Sequence, residues 1–146
     1  MQLFSSAFNT TQLIPSRFTC DGENVNPPLT ISGVPPEAKS LVLLVNDPDS
    51  PSGSFLHWLV WDIAPHTKQI NTQDIPIGAI EGKNDFGKFG YGGPCPHEGE
   101  HRYHFRLYAL SEILGLSNQA TRQEVVNALT NKMVGEAFLV GLYKRK

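Results

Sequence analysis

Only two cysteines, Cys20 and Cys95, occur in the 146 residues, too few for the disulfide framework of a small secreted scaffold. They lie far apart, in turn-like surroundings and outside any C-x-x-C pair, so the sequence reads as having two reduced thiols. Long apolar runs are also missing. The longest are strand-sized, which excludes a helix that spans or stably inserts into a bilayer. A strong charge of either sign is absent: 12 Lys and Arg stand against 14 Asp and Glu, for a net charge of -2. That balance excludes a general binder of nucleic acid or of membrane surfaces. The basic end Lys144-Arg145-Lys146 is too short to alter this and reads as a solvated tail. The opening Met1-Gln2-Leu3-Phe4-Ser5 lacks the charged and apolar regions of a secretory signal, so the cytoplasm is the expected location.

What is present is glycine (13) and proline (11), more than a helical bundle needs. Their number favours short elements joined by turns, hence a β-rich fold. Residues 1–146 form one domain-sized chain, and 40% hydrophobic with 18% charged residues is an ordinary globular composition. Leu41 to Asn46 is almost wholly apolar, as in a strand buried on both faces. Phe55 to Ile63, His101 to Leu110 and Glu136 to Tyr143 are further strands. Strict alternation along the second puts Phe55, His57, Leu59, Trp61 and Ile63 on one face. One helix is expected: Thr121-Arg122-Gln123-Glu124 is a capping box, Val125, Val126, Leu129 and Met133 recur at helical spacing, and Gly135 ends it. Gly82 to Gly99, rich in Gly and Pro, is a long irregular loop, and such loops in compact domains are usually functional.

Four polar residues fall near strand ends on otherwise apolar faces: Asp47, His57, His101 and Tyr103. Converging at one end of a sandwich, they would form a pocket suited to an anion. Imidazolium and phenol donate, glycine amides of a turn add donors, and a carboxylate orients an imidazole. His66 and His104 read instead as structural, hydrogen-bonded histidines.

Asp47-Pro48-Asp49-Ser50-Pro51 followed by Phe55-Leu56-His57-Trp58 resembles the first signature of the phosphatidylethanolamine-binding protein (PEBP) family. Gly93-Pro94-Cys95-Pro96 followed by Gly99-Glu100-His101-Arg102-Tyr103-His104-Phe105 resembles the second. Asp21-Gly22-Glu23-Asn24 and Leu107-Tyr108-Ala109-Leu110 are similar to the bacterial Raf kinase inhibitor-like branch, and the resemblance spans nearly the whole chain. It implies two antiparallel sheets with Greek-key links, one or two peripheral helices, and a shallow pocket for phosphate-like groups. Carried over by position, the pocket would be lined by Asp47, Pro48, His57, Gly93, Pro94, His101 and Tyr103, with Asp49 and Arg102 as scaffolding. The implied activity is regulation or inhibition of a partner by binding, not catalysis, with no cofactor or metal. The expected ligand bears a phosphate or carboxylate. A kinase or peptidase is the kind of protein partner expected, and a homodimer is compatible. The extended C-terminal helix of longer eukaryotic members is absent here, so no lid role is transferred.

Two hydrolytic alternatives compete with this reading. His97-Glu98-Gly99-Glu100-His101 matches H-E-x-x-H, which grips zinc only when a helix puts both imidazoles on one face. Pro94, Pro96 and Gly99 argue against a helix there. Cys95, beside His97 and His101, could instead be a thiol nucleophile, although no helix N-terminus lowers its pKa. A pure interaction module with a vestigial pocket is a third possibility.

Overall fold

The computed structural model describes residues 1–145; Lys146 of the basic end lies outside the described residues. Its strands are β1 (Gln2–Phe4), β2 (Gln12–Leu13), β3 (Leu29–Ser32), β4 (Ser40–Asp47), β5 (Phe55–Ile63), β6 (Gln69–Ile70), β7 (Ile80–Glu81), β8 (His101–Leu110) and β9 (Met133–Tyr143). A 3-10 turn covers Ser16–Phe18, and one α-helix, α1, covers Arg122–Leu129. No helix among the described residues is long and apolar enough to cross a membrane.

The strands form two sheets, ordered β1-β3-β6 and β2-β9-β8-β4-β5-β7. In the larger sheet β4, β5 and β7 lie side by side, and β8 returns beside β4. That is the spatial order of a Greek key. Pairing is antiparallel except between β2 and β9, which run parallel, a departure from the purely antiparallel expectation. Every residue of β4 is buried, as its continuous apolar run requires. Leu41, Leu43 and Val45 pack between the sheets with Leu29, Ile31 and Ile70. Val42 and Leu44 face the other way, where Val125 and Leu129 of α1 cover them. The large sheet is therefore the middle layer of three.

Two local expectations are corrected. The capping box at Thr121 and Glu124 forms, but α1 ends at Leu129 with Thr130 as its C-cap, not at Gly135. Asn131 turns the chain with a φ of 73°, and Met133 already pairs with Leu110 across the β8–β9 ladder. Sheet pairing overrides the helical spacing of Met133. In β5 strict alternation fails because the ladder to β4 shifts register twice. Trp58, Val60 and Ile63 face the inter-sheet core, whereas Leu56, Leu59 and Trp61 face the helix side. Both tryptophans are sealed, and each indole N–H has a partner: Trp58 donates to Glu81 Oε2 (2.7 Å) and Trp61 to the Leu116 carbonyl (3.1 Å).

The thiols are corrected as well. Cys20 and Cys95 form a disulfide, with Cα atoms 5.4 Å apart. Hydrogen bonds align the two segments around it. The Cys20 N–H donates to the Pro94 carbonyl (3.1 Å), Gly93 N–H to Asn24 Oδ1 (2.8 Å), and the Tyr91 hydroxyl to the Phe18 carbonyl (2.7 Å). Only glycine fits at position 93, because a Cβ there would run into the Phe18 carbonyl oxygen and the Thr19 backbone. Within the basic end, Arg145 pairs with Asp21 at 3.0 Å.

Candidate functional site

At one end of the large sheet, where β4 stops and β5 and β8 begin, lies a cavity of about 260 Å³. Asp47, His57, His101 and Tyr103 all line it, together with Phe55, Phe86, Cys95, His97 and the Ser50–Ser52 turn. Pro48, Gly93 and Pro94 are not among its lining residues. Gly93 and Pro94 serve the seam to the Cys20 segment instead. A larger recess of about 550 Å³ lies between β1 and β9, but the charged groups on its walls are limited to Met1 and Glu136.

The cavity is held open by polar ties that begin in the sequence motifs. Asp47, the last residue of β4, accepts the Asp49 N–H on Oδ1 (2.7 Å) and His101 Nδ1 on Oδ2 (2.7 Å). Asp49 in turn takes the Arg102 N–H and Nε on Oδ2, each at 2.9 Å, and Nη2 on Oδ1 at 2.8 Å. The Asp-Pro-Asp turn is thereby clamped to the start of β8 at two points. The Arg102 guanidinium holds the Asp49 carboxyl down to about 2.

His57 reaches the cavity through a bulge. Val45 pairs with Trp58 and Asn46 with Leu56, so His57 is the extra residue between them. The bulge turns its ring toward Tyr103 rather than toward Leu59 and Trp61. Its Nδ1 donates to the Gly92 carbonyl (2.7 Å), while the Gly92 N–H returns to the His57 carbonyl (2.9 Å). Rings of Phe55, Tyr103 and Phe86 surround it at 5.0, 5.2 and 5.4 Å. Burial depresses the pKa of His57, outweighing the opposing pull of the Gly92 carbonyl and Asp47. Asp47 is therefore the partner of His101, and His57 is oriented by backbone.

Tyr103 stands between the two imidazoles, edge-on to His57 and stacked with His101 at 6.5 Å. Its hydroxyl is buried in the cavity wall near the Cys95 amide, and its proton has no acceptor among the described residues. Burial, followed by the nearby Asp47 charge, raises its pKa, so it is a donor at any ordinary pH.

The aromatic wall and His97 lie outside the sequence-derived set. Phe86 is placed because Asn84 Oδ1 accepts the Phe86 N–H (2.9 Å) within the turn, and Asp85 fastens that turn to β5, its Oδ2 accepting the Leu56 N–H (2.7 Å). A Cβ at Gly92 would strike the Phe86 ring. Gly92 of the 82–99 loop was thus a usable sign of close packing at the site.

The hydrolytic alternatives lose their premises. His97 to Glu100 form a loop, with Gly99 at a φ of 68°, and His101 opens a strand. The two imidazoles of H-E-x-x-H therefore do not share a helix face. The described residues contain no group of three His, Cys, Asp or Glu side chains placed to hold one metal. Cys95 is bonded to Cys20 and is not a free nucleophile.

Fold and site together define a class: a two-sheet β protein with a small pocket of imidazole, phenol and carboxylate at its strand ends. The family model for phosphatidylethanolamine-binding protein matches residues 4–144, and the chain belongs to that family. A UPF0098 protein of Methanothermobacter thermautotrophicus is 49% identical over 150 residues, covering 99% of both chains. One of Chlamydia trachomatis is 38% identical with the same coverage. A crystal structure of a PEBP homolog from Chlamydia trachomatis superposes with a TM-score of 0.95 at 37% identity, over 99% of this chain and 97% of that one. E. coli YbcL, described as a member of the mammalian PEBP family, gives 0.92 at 29% identity, over 99% and 98%.

Proposed function

We propose that this protein binds small anions, phosphate-bearing or carboxylate, in the Asp47–His57–His101–Tyr103 pocket, and that it acts by binding rather than by catalysis. The observation that carries this is the Tyr103 hydroxyl, buried without a partner between two imidazoles. Leaving such a group unpaired costs roughly 1–3 kcal/mol, and an oxyanion oxygen would recover it. A PEBP-like binder of this kind regulates a partner such as a kinase or peptidase, the ligand setting whether the partner docks. The cytoplasmic location expected from the sequence then requires an interior that leaves Cys20–Cys95 closed, as thermophile interiors do.

A two-dimensional NMR titration with inorganic phosphate, phosphoethanolamine and acetate tests the pocket. Saturable shifts should cluster at Phe55, His57, His101 and Tyr103. Shifts confined to the recess between β1 and β9, or none at all, would refute the assignment.

A further inference from the structure

Resting on the anion-pocket reading, we infer that His57 makes the pocket selective for oxyanions that carry a proton, so that a phosphate monoester is preferred to a sulfate ester of the same shape. The geometry fixes the tautomer. A carbonyl can only accept, so the 2.7 Å bond to Gly92 keeps the proton on Nδ1. The neutral ring then presents Nε2 to the cavity as a lone pair. Its surroundings favour that neutral form: His57 is 3% exposed, aromatic rings enclose it, and burial lowers its pKa.

The charges around it point the same way. Asp47 faces His57 from β4, His101 and Tyr103 from β8, and Asp85 and His97 from the loop between β7 and β8. Among the described residues no lysine or arginine lines the cavity. Among these lining residues positive charge comes from imidazoles, and one of them, His101, is already matched by Asp47 at 2.7 Å. A fully ionised oxyanion would meet the Nε2 lone pair of His57 without compensation, because the imidazole that could neutralise it, His101, is already held by Asp47. A phosphate monoanion instead donates its P–O–H to His57 Nε2 and accepts from the Tyr103 hydroxyl. Phosphate esters lose their second proton near pH ~6, so the protonated species is plentiful in mildly acidic solution. Sulfate esters carry no such proton. They can enter only when His57 itself takes one up.

The test is calorimetry of the full, disulfide-bonded chain with methyl phosphate and methyl sulfate. Near pH ~5.5, where most methyl phosphate keeps its proton, it should bind about tenfold more tightly or better, the worth of one hydrogen bond to a charged group. The gap should narrow as pH falls and His57 is protonated. Methyl sulfate binding should take up a proton, seen as a heat that varies with buffer ionisation enthalpy. His57→Phe, which suits the aromatic surroundings, should bring the two affinities together. Equal affinity of the unmodified protein for both esters at pH ~5.5 overturns the inference and leaves the anion pocket standing. Binding of neither ester overturns both. If His57→Phe does not fold, the pH dependence of the unmodified protein still decides.

Discussion

At the scale of single residues, Tyr103 and Asp49 make opposite kinds of prediction. The Tyr103 hydroxyl has no partner to lose, so Tyr103→Phe should leave the thermal midpoint unchanged or slightly raised. Phosphate affinity should fall by about tenfold or more, as one donor to a charged ligand disappears. Arg106, bonded to Asn46 on the opposite face of β8 (3.1 Å), supplies the control, since Arg106→Ala should bind phosphate like the parent. Calorimetry of the two variants decides, and a tight-binding Tyr103→Phe protein would move the site elsewhere. Asp49 matters for stability. Its folded pKa of about 2 lies below the ordinary 3.8, so its contribution is present above pH ~4 and lost as pH falls toward ~2. Solvent screens the partly exposed Asp49–Arg102 pair, so the effect is small. Thermal midpoints between pH ~2 and ~5 should fall less steeply for Asp49→Asn than for the parent. Parallel curves would show that the clamp adds nothing. Asp47, His57, His101 and Tyr103 were legible as residues, because polar groups at strand ends on apolar faces stand out. Their pairing was not legible: a bulge at His57 has no marker in a run that alternates as well with it as without it.

Among the elements, α1 shows how far a local signal reaches. The Thr121–Glu124 box is fully formed, with the Glu124 N–H donating to Thr121 Oγ1 (3.1 Å) and the Thr121 N–H to Glu124 Oε1 (3.0 Å). Thr121→Ala should therefore cost about 1 kcal/mol, measurable by urea denaturation, with phosphate affinity unaffected. An unchanged midpoint would mean that the helix is held by Val125 and Leu129 alone. The start of α1 was legible because caps are chemistry of a few adjacent residues. Its end was not, because β9 claims Met133 through a partner strand distant in sequence. The four long strands were legible for the converse reason: β4, β5, β8 and β9 carry apolar patterns long enough to outweigh their irregularities. The short β1, β2, β3, β6 and β7 lack such patterns, and only tertiary pairing defines them.

For the molecule as a whole, the disulfide is the largest departure from the sequence reading. Two cysteines without a motif are compatible with free thiols or a bond, and only the fold brings positions 75 apart together. Closing a loop of this size should contribute roughly 2–4 kcal/mol. Reduction by dithiothreitol, or Cys20→Ser with Cys95→Ser, should lower the denaturant midpoint accordingly. The slope of the transition should rise, because the uncrosslinked unfolded chain exposes more surface. Identical midpoints with and without reductant would show that the hydrogen bonds along the seam suffice.

The same bond has a mechanical consequence. A pull on the two ends of the chain first frees β1 from β3 and then meets β2 and β9, which lie side by side and parallel and so resist as a sheared pair. Once they part, the 75 residues spanned by Cys20 and Cys95, roughly 260 Å of extended chain, stay locked against force until the bond is cut. Part of the pocket lies within that protected length, with strand β4, the Asp-Pro-Asp turn and His57, while β8 and its His101 and Tyr103 lie outside. Stretching would therefore take the site apart along the line between Asp47 and His101, dividing it before its first half had lost its closed loop.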